Sequence, residues 1–201
     1  MDDVSIMREA VVHLGINDRI AARVRDLRGR HGLSLESLAE ASGVSRSMIS
    51  LIERGESSPT AVVLEKLATG LGVSLATLFE APAAPPHPVS RWADQIEWRD
   101  PASGYLRRNV SPDGFPSPIQ IVEVIFPAGA RVAYETAARP GVTHQQVWVL
   151  EGMIQVMLGD EGFELRPGDC LAMVLDRPIT YHNPTQRPAH YCVVIVGPRP
   201  A

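Results

Sequence analysis

Arg46, Ser47 and Ser50 are spaced so that a helix would turn all three to one side, opposite the apolar pair Ile49 and Ile52. A guanidinium offers paired N–H groups that match O6 and N7 on a guanine edge, and a serine hydroxyl reaches a base edge or a thymine methyl with little bulk. Ser34 and Ser45 each precede an apolar-periodic run, where a serine oxygen caps the helix and the free N–H groups attract phosphate. Arg54, at the far end of the second run, is placed for a phosphate contact. Plainer roles stand beside these: an exposed arginine is solvated, and a capping serine closes a helix whether or not phosphate is near. Elsewhere no nucleophile–base pair and no carboxylate pair falls at a recognisable catalytic spacing.

The elements that must hold these residues are clearly punctuated. Five helices are expected before residue 80, with Asn17, Ser34, Ser45, Ser58 (followed by Pro59) and Ser74 at their starts and Gly32, Gly43, Gly55 and Gly72 at the stops. Ile20, Val24 and Leu27 mark the inner face of the first helix, Leu35, Leu38 and Ala39 that of the second, and Ile49 and Ile52 that of the third. Ala39 is small enough for a close helix crossing, and Gly43, four residues on, supplies a left-handed turn. Residues 81–88, APAAPPHP, cannot continue a helix or enter a central strand and read as an extended spacer of about 25 Å. Beyond them come short strands: 119–126, 131–135, 145–150, 153–158, 163–165, 170–175, 180–182 and 190–196, joined by Pro- and Gly-rich turns. Such a rhythm means a sandwich or a barrel.

Bulk properties set the frame. The chain has 201 residues, 45% hydrophobic and 21% charged, as in ordinary globular proteins. Its net charge of −4 does not mark a nucleic-acid binder, but between Arg19 and Arg54 seven arginines face only Asp26, Glu36, Glu40 and Glu53. No apolar run is long enough to span a bilayer, and the start MDDVSIMREAVV lacks the basic end of a signal peptide, which predicts a cytoplasmic protein without membrane association. Cys170 and Cys192 are then expected as reduced, buried thiols, a disulfide being the lesser alternative.

The stretch LSLESLAEASGVSRSMISLIERGESSP, residues 33–59, resembles the Cro/lambda-repressor, or XRE-type, DNA-binding domains, and the resemblance extends over about 17–80. It implies that the third helix reads the major groove and that the domain binds DNA as a dimer. The second half resembles the cupins, small double-stranded β-helix barrels, through PAG at 127–129, VWVLEG at 147–152, RPGD at 166–169 and DRPITYHNP at 176–184. Together the resemblances imply an α + β two-domain regulator: an extension at 1–16, a five-helix helix-turn-helix domain at 17–80, a linker at 81–95 and an all-β cupin-like sensor at 96–198.

Cupin metal motifs can be laid on this chain, and the ligands are missing. Gly152 matches the glycine closing the first motif, which puts its glutamate position on Gln145 and its histidine positions among 138–141, where no histidine stands. Gly168 and Asn183 match the second motif, whose histidine position is Ile179. His144 and His182 lie one strand position from motif sites, so alternation turns them to the opposite face. The expectation is therefore no metal, no cofactor and no enzyme activity, the alternatives being an isomerase or dioxygenase with an attached head, or a helix-turn-helix that serves as a protein-interaction module. A barrel mouth lined by Gln145, Val147, Ile179 and Tyr181, with Tyr134, Trp148 and Met157, is suited to a small organic effector. Trp148 and Met157 fit a core or dimer interface equally well. The expected partners are double-stranded DNA with a palindromic operator, the effector and a second copy of the chain.

Overall fold

A computed structural model describes residues 15–80, 87–135 and 142–197. Most of the expected extension, residues 81–86 of the linker and the motif positions 138–141 lie outside the described residues. The helices are α1 (Ile16–Arg30), α2 (Leu35–Ser42), α3 (Arg46–Glu53) and α4 (Ala61–Gly70), followed by a 3₁₀ helix, Leu75–Phe79. The described residues thus hold four α-helices, and the expected fifth is a 3₁₀ turn. Only seven residues separate the Ser74 cap from Pro82, too few to repay α-helix nucleation.

Serine capping is as expected at α2, α3 and the 3₁₀ helix, where Ser34, Ser45 and Ser74 accept from the amides of Ser37, Met48 and Thr77. The other two starts differ. Gly15 precedes α1 and its amide donates to the Asp18 carboxylate at 3.1 Å, while Thr60 caps α4 by accepting from Val63 N. Asn17 and Ser58, the expected caps, bind each other instead: Asn17 Nδ2 donates to Ser58 Oγ at 2.7 Å. Ile20, Val24, Leu38, Ile49 and Ile52 close the head's core. Gly43 takes the left-handed turn at φ +66°. The tightest glycine approach between helices is Gly70 against Ser42, where a Cβ would come within 2.8 Å of the Ser42 Cβ.

Two antiparallel sheets form the second region. One has six strands in the order β1-β2-β3-β10-β5-β8: Glu97–Arg99, Leu106–Asn109, Ile119–Phe126, Ala189–Val196, His144–Glu151 and Cys170–Val174. The other has the order β4-β9-β6-β7: Arg131–Tyr134, Ile179–His182, Ile154–Leu158 and Glu161–Leu165. β1 and β2 are absent from the sequence-based expectation. β10 pairs with β3 from Val196↔Ile119 to Ala189↔Phe126 and with β5 on its other side. Alternation buries Tyr191, Val193 and Ile195 of β10 beside Gln145, Val147 and Val149 of β5, and these residues face Ile179, Tyr181 and Val156 of the other sheet in a barrel-like core.

Head and barrel pack directly on each other. Phe79 meets Trp98 at 5.4 Å between ring centroids. Asp100, buried in the barrel, accepts a hydrogen bond from the Ala61 amide at the start of α4, at 2.8 Å. Gln120 accepts from Ser74 Oγ and donates to Glu80. The cysteines depart from expectation as well. Cys170 is exposed and Cys192 half-buried, because both lie on the outer face of the six-stranded sheet. Trp148 of β5 sits between them in register, which puts them two strand spacings, about 10 Å, apart and beyond disulfide reach.

Candidate DNA interface and barrel cavity

The outer surface of α3 is fixed from behind. Ile49 and Ile52 anchor it in the core, and Glu53 at its end is gripped by α1. Arg28 Nε and Nη2 meet the two Glu53 carboxylate oxygens at 2.6 and 2.8 Å, and Arg25 donates to the Glu53 carbonyl. On the free side Arg46 is exposed and touches only the equally exposed Glu36, at 3.3 Å. A surface pair of this kind is worth little, so Arg46 can leave it readily. Ser47 is exposed, within hydrogen-bond reach of the capping Ser45. Ser50 is half-buried and is held by Arg54, which also grips Glu56 through Nε and Nη2 at 2.9 and 2.8 Å. Arg46 and Ser47 therefore stand ready, whereas Ser50 and Arg54 are tied to each other. Of the seven arginines counted in the sequence, Arg23, Arg25 and Arg28 are engaged within the protein, which shrinks the basic face.

Inside the barrel, a cavity of about 70 Å³ gathers Tyr134, Gln145, Ile179 and Tyr181 on its wall. Val147 is fully buried but off that wall. Trp148 and Met157, 50% and 40% exposed, project from the barrel's outside, because each alternates with buried valines on its strand. The expectation that these three help line the pocket is corrected accordingly. Sequence reasoning missed Tyr105, Tyr191 and above all Arg107 of β2, which is 6% exposed and on the same wall. The Tyr105 and Tyr134 hydroxyls are 3.2 Å apart, Gln145 Nε2 donates to the Tyr181 hydroxyl at 2.5 Å, and Tyr181 stacks on Tyr191. Burial pushes all four tyrosine hydroxyls above their ordinary range, so they are neutral donors at physiological pH. The head closes one side: Ser74 and Leu75 join the wall, and Phe79 lies 5.3 Å from the Arg107 guanidinium carbon. A larger groove of about 610 Å³ runs between the 3₁₀ helix and residues 111–121 but holds none of the expected effector residues.

The residues at the cupin metal positions do not fit a metal. Gln145 is committed to Tyr181, and Ile179 offers no lone pair. His144 is exposed on the outer face, and His182 lies 3.4 Å from Gln155. Among the described residues, no three of His, Cys, Asp and Glu come together as a metal would need. No described helix is long and apolar enough to cross a membrane.

Residues 24–78 match the helix-turn-helix family HTH_3. The chain is 30% identical over 183 residues to the HTH-type transcriptional regulator SutR of Escherichia coli, covering 90% of this chain and 96% of that one. It is 29% identical to the E. coli HTH-type transcriptional regulator PuuR, over 80% of this chain and 85% of that one. The crystal structure of an HTH_3 family transcriptional regulator from Vibrio cholerae superposes with a TM-score of 0.74 at 29% identity, covering 92% of this chain and 98% of the other. With its exposed α3 carried on a four-helix head and joined to a barrel-like region, the chain belongs to the HTH-type transcriptional regulators, with a helix-turn-helix of the XRE type.

Proposed function

We propose that the protein is a cytoplasmic, dimeric, sequence-specific DNA-binding regulator whose barrel senses a small organic effector without a metal. The observation that carries the reading is α3 itself, clamped from behind by the Arg28–Glu53 pair while Arg46 and Ser47 face solvent at its N-terminal end. In this arrangement Arg46 contacts a guanine, Ser47 and Ser50 lie along the base edges, and the N-termini at Ser34 and Ser45 receive phosphates. Arg54 reaches a phosphate by exchanging Glu56 for it. The outer face of the six-stranded sheet, where Ile119, Ile121, Trp148 and Val196 are exposed, supplies a self-complementary dimer surface. Two heads then read half-sites about 34 Å apart. Tyr134, Gln145, Ile179 and Tyr181 form the effector wall. The effector acts by binding one head–barrel arrangement better than another.

The test is operator binding by fluorescence anisotropy, with a site selected from random DNA. Arg46→Ala is expected to weaken the selected site about tenfold or more while leaving non-specific DNA nearly unchanged, as loss of about 1–3 kcal/mol of base discrimination requires. Inserting five base pairs between the half-sites is expected to abolish tight binding. Unchanged affinity in both experiments would refute the reading.

A further inference from the structure

Arg107 is a charge with no counter-charge. Neither Nε nor Nη2 has a hydrogen-bond partner, and both atoms are out of contact with solvent. Glu65, the carboxylate on the cavity wall, is already engaged. A guanidinium cannot shed its proton to escape burial, so an unpaired one in a protein interior is costly and calls for an anion. The same chain shows what those two nitrogens hold when occupied: in Arg28, Nε and Nη2 grip the two oxygens of one carboxylate. In Arg107 these two nitrogens are without a hydrogen-bond partner, in a residue that lines a cavity. Around it stand the four neutral tyrosines, while Phe126, Ile179, Val193 and Ile195 make the rest of the wall apolar. The space, about 70 Å³, holds roughly five water-sized groups.

We propose that the cavity binds a small monocarboxylate with a short hydrocarbon tail, its two oxygens on Arg107 Nε and Nη2, its flank against the tyrosine hydroxyls and its tail against Ile179 and Ile195. The proposal rests on the effector reading above and names the class of molecule. A polyamine or other cation is excluded by the charge at Arg107. An inorganic anion leaves the apolar wall unused. Because Phe79 of the head packs on the same guanidinium, the carboxylate would arrive at the seam between head and barrel.

The experiment is isothermal titration of the full-length protein with sodium acetate, propionate, butyrate and valerate, against butyramide, butylamine, chloride and phosphate, in chloride-free buffer. A carboxylate of three to five carbons is expected to bind at least tenfold more tightly than butyramide, with butylamine silent and affinity rising with tail length to a maximum. Arg107→Met should lose that binding at least tenfold, and Arg107→Lys, which keeps the charge but not the paired edge, should fall between. Circular dichroism and melting temperature report whether each variant is folded. Equal binding of butyramide, retained binding in folded Arg107→Met, binding of chloride or phosphate without chain-length dependence, or no carboxylate binding at all would overturn the proposal. Repeating the operator titration with the bound ligand separates the two readings. A neutral ligand that shifts operator affinity would sink the carboxylate and spare the sensor, whereas a bound carboxylate that leaves operator affinity unmoved would do the reverse.

Discussion

The helical head holds a half-buried arginine and the barrel a buried one, and the two are treated differently. Arg28 closes on Glu53 with two short bonds that fasten α1 to α3. In Arg107, on the wall of the barrel cavity, the same two nitrogens have no hydrogen-bond partner. The head completes its electrostatics internally, as a rigid reading surface requires. The barrel leaves its own incomplete at Arg107, the feature on which the proposed effector site rests.

Glu53→Ala tests the first half of that contrast and should have the largest effect. It removes both short bonds to the half-buried Arg28, and about 2 kcal/mol of stability is expected to be lost in urea unfolding, with operator binding weakened alongside. A silent substitution would show that the pair does not hold the recognition helix. Asp100→Ala comes next. It removes the barrel's hydrogen bond to the Ala61 amide, and roughly 1–2 kcal/mol should be lost, with faster limited proteolysis between residues 80 and 95 as the head loosens. Undiminished protection would mean that Asp100 serves only its own loop, where it also binds Ser103. Glu80, where Arg23 and Gln120 meet, should have the smallest effect. Burial raises its carboxyl above the ordinary glutamate range. The folded protein therefore prefers the protonated acid, and this site's cost to stability is present at neutral pH and is relieved as pH falls through the raised value. Compared with Glu80→Gln, the native protein should gain less than about 1 kcal/mol between pH 7 and the ordinary glutamate range, measured by urea unfolding at each pH. A gain on raising the pH would reverse the sign and refute the assignment.

The head was nearly legible in the sequence because its signals are local: a serine before each of two helices, a glycine at the turn, isoleucines at helical spacing. It failed at Asn17 and Ser58, where the side chains bind each other across 41 residues, a pairing no local pattern announces. The strands of the barrel were legible wherever apolar residues alternate. β2 was not, because its inward positions are Arg107 and Asn109, the reverse of the expected pattern. The candidate effector residues were found where motif positions pointed, at Gln145 and Ile179. They were missed where a charged residue broke the rule for a core. Trp148 and Met157 were assigned by residue type, and period-2 alternation, read strictly against Val147 and Val156, would have turned both outward.

The bond between Asp100 and Ala61 bears on how such proteins are assembled and exchanged. An N–H at the start of α4, in the head, is completed by a carboxylate that belongs to the other region. A head severed near residue 80 would trade that fixed acceptor for water, and a head grafted onto a barrel lacking an aspartate at this place would inherit the same deficit. The two regions are thus not freely interchangeable cassettes. A chimera would have to carry the loop around Asp100 along with the helices.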